Sequence, residues 1–253
     1  MSTASRLCLA AMPASLSSQV WGGAELGAAP ELVLPSGFAA LDAALPGGGW
    51  PLGSLVEVLQ AQPEQHVWQL LLPALAQAVQ DVKAGPVVLV GAPLQPFGPS
   101  LAAQGLPSQR LLCVHADKPA ARLWAAEQAL RCAEVAAVLA WLPQALGPQL
   151  RRLHLAAQQQ GRLLVVVRAL GAAAESSPAR LRLRLDSVQD QMRVHILKRR
   201  GPPQEAAVLL PARAQRLTAL LAPRKPGAAA AASFSPRQTA DRSHALDRTP
   251  ARV

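Results

Sequence analysis

Residues 36–57 read SGFAALDAALPGGGWPLGSLVE, and this stretch decides how the rest of the chain is interpreted. Ser36 stands where a helix cap is favoured, and the apolar residues after it recur at helical spacing, so a helix over 36–45 is predicted. One proline and three glycines at 46–49 end that helix abruptly. The apolar run at 55–59 predicts a buried strand. The stretch is therefore a helix, a glycine turn and a first core strand.

The chain beyond this stretch alternates between short apolar runs and longer helical patterns. The predicted strands are 86–90, 111–115, 135–142 and 163–169, and the predicted helices are 68–82, 101–104, 120–132 and 148–160. Continuous apolar strands that alternate with helices indicate an α/β protein with a mostly parallel central sheet flanked by helices. Two further β patterns, at 180–186 and 192–197, predict a C-terminal antiparallel hairpin on the edge of this sheet.

The spacing of residues 37–57 resembles the segment that leads into the nucleotide loop of RecA-like recombinases. The matching positions are the glycines, the Leu-Asp pair, Pro51 and Glu57. The resemblance implies a RecA-like domain over residues 31–211, with a phosphate-binding loop of the form G-x-x-x-x-G-K-[ST] directly after the first strand. In such a loop the backbone amides and the lysine hold phosphates, and the hydroxyl binds Mg²⁺.

The eight residues that should form this loop have lost every position of the pattern. Gln60 and Gln65 replace the glycines that let the backbone wrap phosphates, and Pro63 removes an amide donor. His66 is shorter than lysine and mostly neutral near physiological pH, and Val67 offers no metal ligand. Because phosphoryl transfer depends on positioned charge and metal, we expect a pseudo-ATPase that is not an enzyme and uses no cofactor.

Tryptophans occupy the region around the lost loop. Matching the strands to those of the recombinases puts Pro93 at the position of the catalytic glutamate and Trp141 at that of the magnesium-associated aspartate. Trp50, Trp68 and Trp141 are expected to fill the former nucleotide site. The alternative is an exposed aromatic hot spot for a partner protein.

With its loop degenerate, the chain resembles the small RecA/SulA-like proteins encoded beside error-prone polymerases, the ImuA family. A Trp-Gly-Gly sequence at 21–23 and the strand end ILKRRG at 196–201 add to the motif. The resemblance implies an accessory role in the SOS response to DNA damage, in translesion synthesis, DNA repair and mutagenesis. It also implies three partners: an inactive Y-family polymerase homologue, an error-prone polymerase subunit, and RecA. A SulA-like inhibitor of the tubulin-like division protein is the alternative function.

The net charge of +10 lies entirely in the last third of the chain, since acidic and basic residues balance over 1–179. A localised basic excess points to polyanions or acidic partners. The candidate DNA-binding or partner-binding residues are Arg180, Arg182, Arg184, Lys198, Arg199 and Arg200. The three arginines at 180–184 alternate with leucines, so one strand face should be cationic; the alternative is a solvated edge strand that discourages edge-to-edge pairing. Only the short segment 171–177 stands where recombinases have a DNA-binding loop, so DNA binding should be weak and salt-sensitive.

The chain is expected to have three parts: an N-terminal extension at 1–30, the RecA-like domain at 31–211, and a basic, largely disordered tail at 212–253. Three cysteines with no CxxC pair support neither a disulfide framework nor a metal site. No apolar run is long enough for a spanning helix, so a cytoplasmic protein without membrane contact is expected.

Overall fold

Strand β3, Ser54–Gln60, has every residue buried and lies at the middle of an eight-stranded sheet. The computed structural model describes residues 32–62, 67–80, 84–189 and 191–212. The strand order is β10-β9-β8-β3-β7-β6-β4-β5. The strands are β3 as above, β4 Val87–Val90, β5 Leu111–Val114, β6 Ala137–Trp141, β7 Leu163–Ala169, β8 Leu181–Val188, β9 Gln191–Lys198 and β10 Val208–Pro211. A separate antiparallel pair joins β1, Val33–Leu34, to β2, Trp50–Pro51.

Strands β3 to β8 are all parallel, so their carboxyl ends share one end of the sheet. Helices cover both faces, as predicted for an α/β protein. The helices are α1 Ala39–Ala44, α2 Val67–Ala78, α3 Gly98–Ala103, α4 Pro119–Arg131 and α5 Gly147–Gln160. Alternate residues of the strands pack against α1, α2 and α3 on one face and against α4 and α5 on the other, which gives two apolar cores.

The helix predicted over 36–45 is shorter, because it begins at Ala39. The side-chain oxygen of Ser36 accepts the N–H of Phe38 at 3.1 Å, so Ser36 shapes the turn before the helix instead of capping it. Gly37 separates the two with φ +83, and a Cβ there would lie 2.4 Å from the Cβ of Pro73 in α2. This glycine of the motif is therefore required by backbone conformation and by close packing.

The predicted antiparallel hairpin is confirmed as β8 and β9, but its place on the sheet edge was wrong. Strand β8 pairs with β3 in parallel, and β10 covers the far side of β9. Strand β10 was not predicted, because its four residues lie in a Pro-rich stretch without clear alternation. The hairpin is therefore part of the sheet interior, and this changes the environment of its arginines.

The predicted extension at 1–30 lies outside the described residues, and so does the predicted tail beyond Ala212. The predicted helix at 68–82 ends at Ala78. Among the described residues, no helix combines the length and apolar character needed to cross a membrane.

Candidate functional site

The position of the lost nucleotide loop lies at the carboxyl end of β3. Gln60 is buried there as the last residue of the strand. Neither the nitrogen nor the oxygen of its side-chain amide has a hydrogen-bond partner among the described residues. Val67 begins α2 and is completely buried in the apolar core. Pro63, Gln65 and His66 lie outside the described residues. Val67 is therefore a packing residue at the place where a loop of this kind would present a metal-binding hydroxyl.

Two of the three tryptophans meet at the same end of the sheet. The ring centroids of Trp68 and Trp141 lie 6.4 Å apart with planes inclined by 39°. They line a cleft of about 210 Å³ together with the loop after β4, and we call it the carboxyl-end cleft; its other lining residues are Pro93, Leu94, Gln95, Pro96 and Phe97. None of these side chains is charged, so the lining offers no cation to balance a triphosphate.

The third tryptophan is placed differently. Trp50 is completely buried in β2, where it pairs with Leu34 of β1. The indole nitrogen of Trp50 has no hydrogen-bond partner among the described residues. Trp50 belongs to the packing of the lead-in segment, and it is absent from the lining of the carboxyl-end cleft.

A buried ion cluster joins three neighbouring strands on the sheet face that carries α4 and α5. Glu57 of β3 is completely buried and accepts hydrogen bonds from Arg182 of β8 at 2.6 Å and from Arg168 of β7 at 3.2 Å. Arg168 also donates to Glu175 and to the carbonyl of Ala145, at 2.8 Å each. We call Glu57, Arg168 and Arg182 the buried ion cluster.

The buried ion cluster also fixes the short connection between β7 and β8. Arg182 donates to the backbone carbonyls of Ala172 at 2.7 Å and of Glu175 at 3.1 Å. Residues Leu170–Ala174 form a 3-10 helix in this connection. The guanidinium group of Arg182 thus holds this segment in place, because it supplies hydrogen-bond donors to carbonyls that would otherwise be unpaired near the sheet.

This geometry corrects the prediction of an accessible cationic face on residues 180–184. Arg182 is nearly fully buried, since Glu57 on the neighbouring strand supplies a counter-charge and the 3-10 segment covers it. Arg184 is half-buried and forms an ion pair with Asp186 at 3.1 Å. Only Arg180 of the three is exposed. Burial thus removes Arg182 from any surface that could contact DNA or a partner.

The remaining predicted basic residues converge at the other end of the sheet. Arg180 stands just before β8, while Lys198 ends antiparallel β9 and is followed by Arg199 and Arg200. Arg180, Arg199 and Arg200 line one shallow depression beside Pro46 and Pro51. We call Arg180, Lys198, Arg199 and Arg200 the basic cluster, and it lies at the amino end of the parallel strands.

Local contacts hold parts of the basic cluster in place. Lys198 Nζ donates to the carbonyl of Ser177 at 2.9 Å, and Arg199 Nε donates to the carbonyl of Pro202 at 2.7 Å. Arg199 Nη1 also donates to the carbonyl of Ala44 in α1. These bonds use neutral carbonyl acceptors, so they do not themselves neutralise the charges of Lys198 and Arg199.

The positive charges of the basic cluster affect the pKa of His154 in α5. Its Nδ1 accepts the backbone N–H of Leu55 at 3.0 Å, which requires an unprotonated Nδ1. Burial lowers the pKa of His154 below its ordinary value, and the charges of Arg180 and Lys198 lower this pKa further. The histidine is thus a neutral structural contact between α5 and β3.

Two residues of the buried ion cluster were missed as a site. Glu57 was noticed as part of the motif, and Arg168 was not singled out. The available signal was a carboxylate inside an apolar strand, because a buried charge requires a partner. Within the described ranges no group of three or more His, Cys, Asp and Glu side chains could hold a metal ion, and Cys113 and Cys132 are free thiols.

The chain is similar to known proteins of two names, SulA and ImuA. Residues 53–164 match the family model described as cell division inhibitor SulA. Two curated relatives, both called Protein ImuA and both from Caulobacter vibrioides strains (NA1000 / CB15N and ATCC 19089 / CB 15), are 36% identical over 157 residues. These alignments cover 59% of this chain and 63% of each relative, so the chain spans less than two thirds of their length.

Among solved structures, SulA from Pseudomonas aeruginosa is 26% identical and aligns with a TM-score of 0.38 over 45% of this chain and 97% of its own. The SulA family match covers β3 to the start of β7 and stops before the hairpin and the basic cluster. The chain is accordingly similar to the ImuA proteins, and its residues 53–164 are similar to the SulA family.

Proposed function

We propose that this chain is a non-catalytic adaptor for error-prone translesion DNA synthesis in the SOS response to DNA damage. The similarity to the ImuA proteins supports the pathway, and the SulA-like match supports an accessory role. The observation that carries the proposal is the division of the sheet into two ends. The carboxyl end, where a nucleotide would react, has a tryptophan-lined cleft with no charged side chain among its described lining residues, whereas the basic cluster lies at the amino end.

The basic cluster is the proposed contact surface. Its four cations project from adjacent chain segments, so an anionic backbone or an acidic protein surface can meet several of them at once. The proposed partners are an inactive Y-family polymerase homologue, an error-prone polymerase subunit, RecA and weakly bound single-stranded DNA. We also propose a RecA-like domain, because its lead-in segment, residues 37–57, resembles that of the recombinases. The proposed adaptor role implies a cytoplasmic location.

The test is a charge reversal at the two exposed members, Arg180→Glu with Lys198→Glu. Both side chains are exposed, so the fold should tolerate the change, while binding to single-stranded DNA and to the polymerase-like partners should weaken about tenfold. The matched control is Arg131→Glu with Arg151→Glu, which makes the same change in net charge at exposed positions elsewhere.

Binding is measured by fluorescence anisotropy with single-stranded DNA over a salt series and by pulldown of the purified partners. The double variant should also show a shallower dependence of binding on salt concentration, because fewer phosphates are neutralised. If the double variant binds DNA and captures the partners as the wild type does, the basic cluster is not the contact surface.

The second candidate function is inhibition of the tubulin-like division protein, which the SulA family match over residues 53–164 favours. The basic cluster lies outside that match. Slower polymerisation of the purified division protein, equal for the wild type and for the Arg180→Glu, Lys198→Glu variant, would support this candidate over the adaptor.

A further inference from the structure

A second cavity lies beyond the carboxyl ends of β5 and β6, outside the carboxyl-end cleft and far from the basic cluster. Its volume is about 360 Å³, within the usual range for ligand sites. Trp141, Leu142 and Leu146 supply apolar walls, while Asp117, Arg122 and Gln149 supply polar groups. The cavity therefore combines apolar walls with a few polar groups.

Arg122 is held in this cavity by a specific local arrangement. Its Nε donates to the carbonyl of Ala116 at 2.6 Å, and its stem passes over Gly91, where a Cβ would lie 2.7 Å from the Arg122 Cδ. Gly91 has φ +64, so both the backbone conformation and the lack of a side chain are needed there. No carboxylate among the described residues pairs with Arg122, which leaves its two terminal amino groups for a ligand.

The start of helix α4 favours an anionic group next to Arg122, and Asp117 places one carboxylate on the same lining. Helix α4 begins at Pro119 on the cavity wall, and its first turn has no side-chain cap, so its partial positive charge adds to that of Arg122. Gln149 already accepts the N–H of Leu146 at 2.9 Å and caps α5. Asp117 stands on the lining as an acceptor suited to a backbone N–H.

The cavity lies next to the carboxyl-end cleft, since Trp141 lines both. Three large apolar side chains rim the combined groove and face solvent: Leu94 is 64% exposed, Phe97 is 72% exposed and Leu146 is 64% exposed. Exposed apolar side chains around a concave surface mark interaction sites in soluble proteins. A groove made of two neighbouring cavities suits an extended chain better than a compact small molecule.

From these features we infer that this groove binds an extended segment of a partner protein in which a carboxylate side chain is flanked by large apolar residues. The carboxylate pairs with Arg122 in a two-point contact, and the apolar neighbours cover Trp141 and the rim leucines. The inference rests on the adaptor role proposed above, because it names the chemistry of one partner contact. It assigns that contact to the end of the sheet opposite to the basic cluster.

The test measures binding of fluorescein-labelled peptides of about ten residues to the full chain by fluorescence anisotropy. The panel contains one glutamate flanked by phenylalanine, leucine or methionine, together with the same peptides carrying glutamine instead. The variants are Arg122→Gln and Leu146→Ser. The control variants are Arg131→Gln and Leu155→Ser, which change an exposed arginine and a leucine that is 57% exposed outside the groove.

We expect the glutamate peptides to bind more tightly than the glutamine peptides. Arg122→Gln should weaken the glutamate peptides about tenfold or more, because a charge-assisted hydrogen bond is lost, and should remove the preference for glutamate. Leu146→Ser should weaken every peptide, and the control variants should bind as the wild type does. Circular dichroism confirms folding, and Leu146→Ser keeps the test valid if Arg122→Gln does not fold, since Leu146 faces solvent.

Equal binding of glutamate and glutamine peptides to the wild type, or full binding by both groove variants, would overturn the inference. Saturation of the site by inorganic phosphate or ATP without displacement of peptide would overturn it in favour of a free anion. A dimer in sedimentation experiments that Leu146→Ser dissociates would overturn it in favour of a second copy of this chain. None of these results depends on the charge reversal at Arg180 and Lys198, so the adaptor proposal is judged separately.

Discussion

Replacing Glu57 by glutamine tests whether the buried ion cluster holds the centre of the sheet together. The substitution keeps the size and shape of the side chain and removes only its charge. Arg168 and Arg182 would then remain inside the sheet with side chains 2% and 9% exposed. Among the described residues, the carboxylate left beside them would be that of Glu175, which is 57% exposed and forms its ion pair with Arg168.

The expected loss follows from this burial. Removing one partner from a buried ion pair costs about 3–5 kcal/mol, because a charge is left without compensation. Domains of ordinary stability unfold at a cost of about 5–15 kcal/mol, so Glu57→Gln should remove about a fifth or more of the free energy of unfolding. With a urea m-value of about 2 kcal/mol/M, the unfolding midpoint should fall by about 1.5–2.5 M.

The assay is equilibrium urea unfolding followed by tryptophan fluorescence, because Trp50, Trp68 and Trp141 lie in or beside the core. The matched control is Glu127→Gln, which removes a carboxylate whose partners Arg131 and Arg152 are mostly exposed and should cost at most about 1 kcal/mol. A loss for Glu57→Gln no larger than that of Glu127→Gln would refute the reasoning.

Three further outcomes are expected. Purified protein should show no ATP turnover above background in a phosphate-release assay, and turnover above that level would contradict the loss of the loop. The pKa of His154 in the folded protein lies below its unfolded value of about 6.5, so the stability that this group contributes is present above that pH and declines as the pH falls through it. Between about pH 7.5 and 5.5 the urea midpoint should therefore fall less in His154→Gln than in the wild type. An equal fall in both proteins would contradict this. Gly85→Ala should cost at least about 2 kcal/mol, because its Cβ would overlap the carbonyl oxygen of Glu134, whereas Gly147→Ala, with nothing within 4 Å of its Cβ, should be neutral or stabilising in the same urea assay.

The apolar patterns were sufficient to predict the α/β fold, because strands buried on both faces must be continuously apolar. Strand β7 was predicted over its full length. Its run of five apolar residues has a glycine before it and an arginine at its end, and these two residues mark its limits. Element order and the parallel sheet followed from the same alternation. The helix at residue 36 was placed too early because a serine followed by apolar spacing looks like a cap, while the φ +83 of Gly37 prevents helix geometry there.

The burial of Arg182 could not be predicted from the sequence of its own strand. Alternation of arginine and leucine predicts two faces, but it does not say what covers the polar one. The answer depends on Glu57, 125 residues earlier, which becomes a neighbour only when β8 adds to β3. By contrast, Arg180 and residues 198–200 lie near one another because antiparallel pairing brings the end of β9 back to the start of β8.

The parallel strands also set a distance between the two ends of the molecule. Seven residues of β3 span about 20 Å at the usual rise of a strand, and the basic cluster and the Trp141 groove lie at opposite ends of that span. Two bound macromolecules would therefore not compete for space, and each could arrive first. Such a spacer holds its two ligands at a fixed separation, so that capture of one raises the local concentration of the other without any change of shape in between.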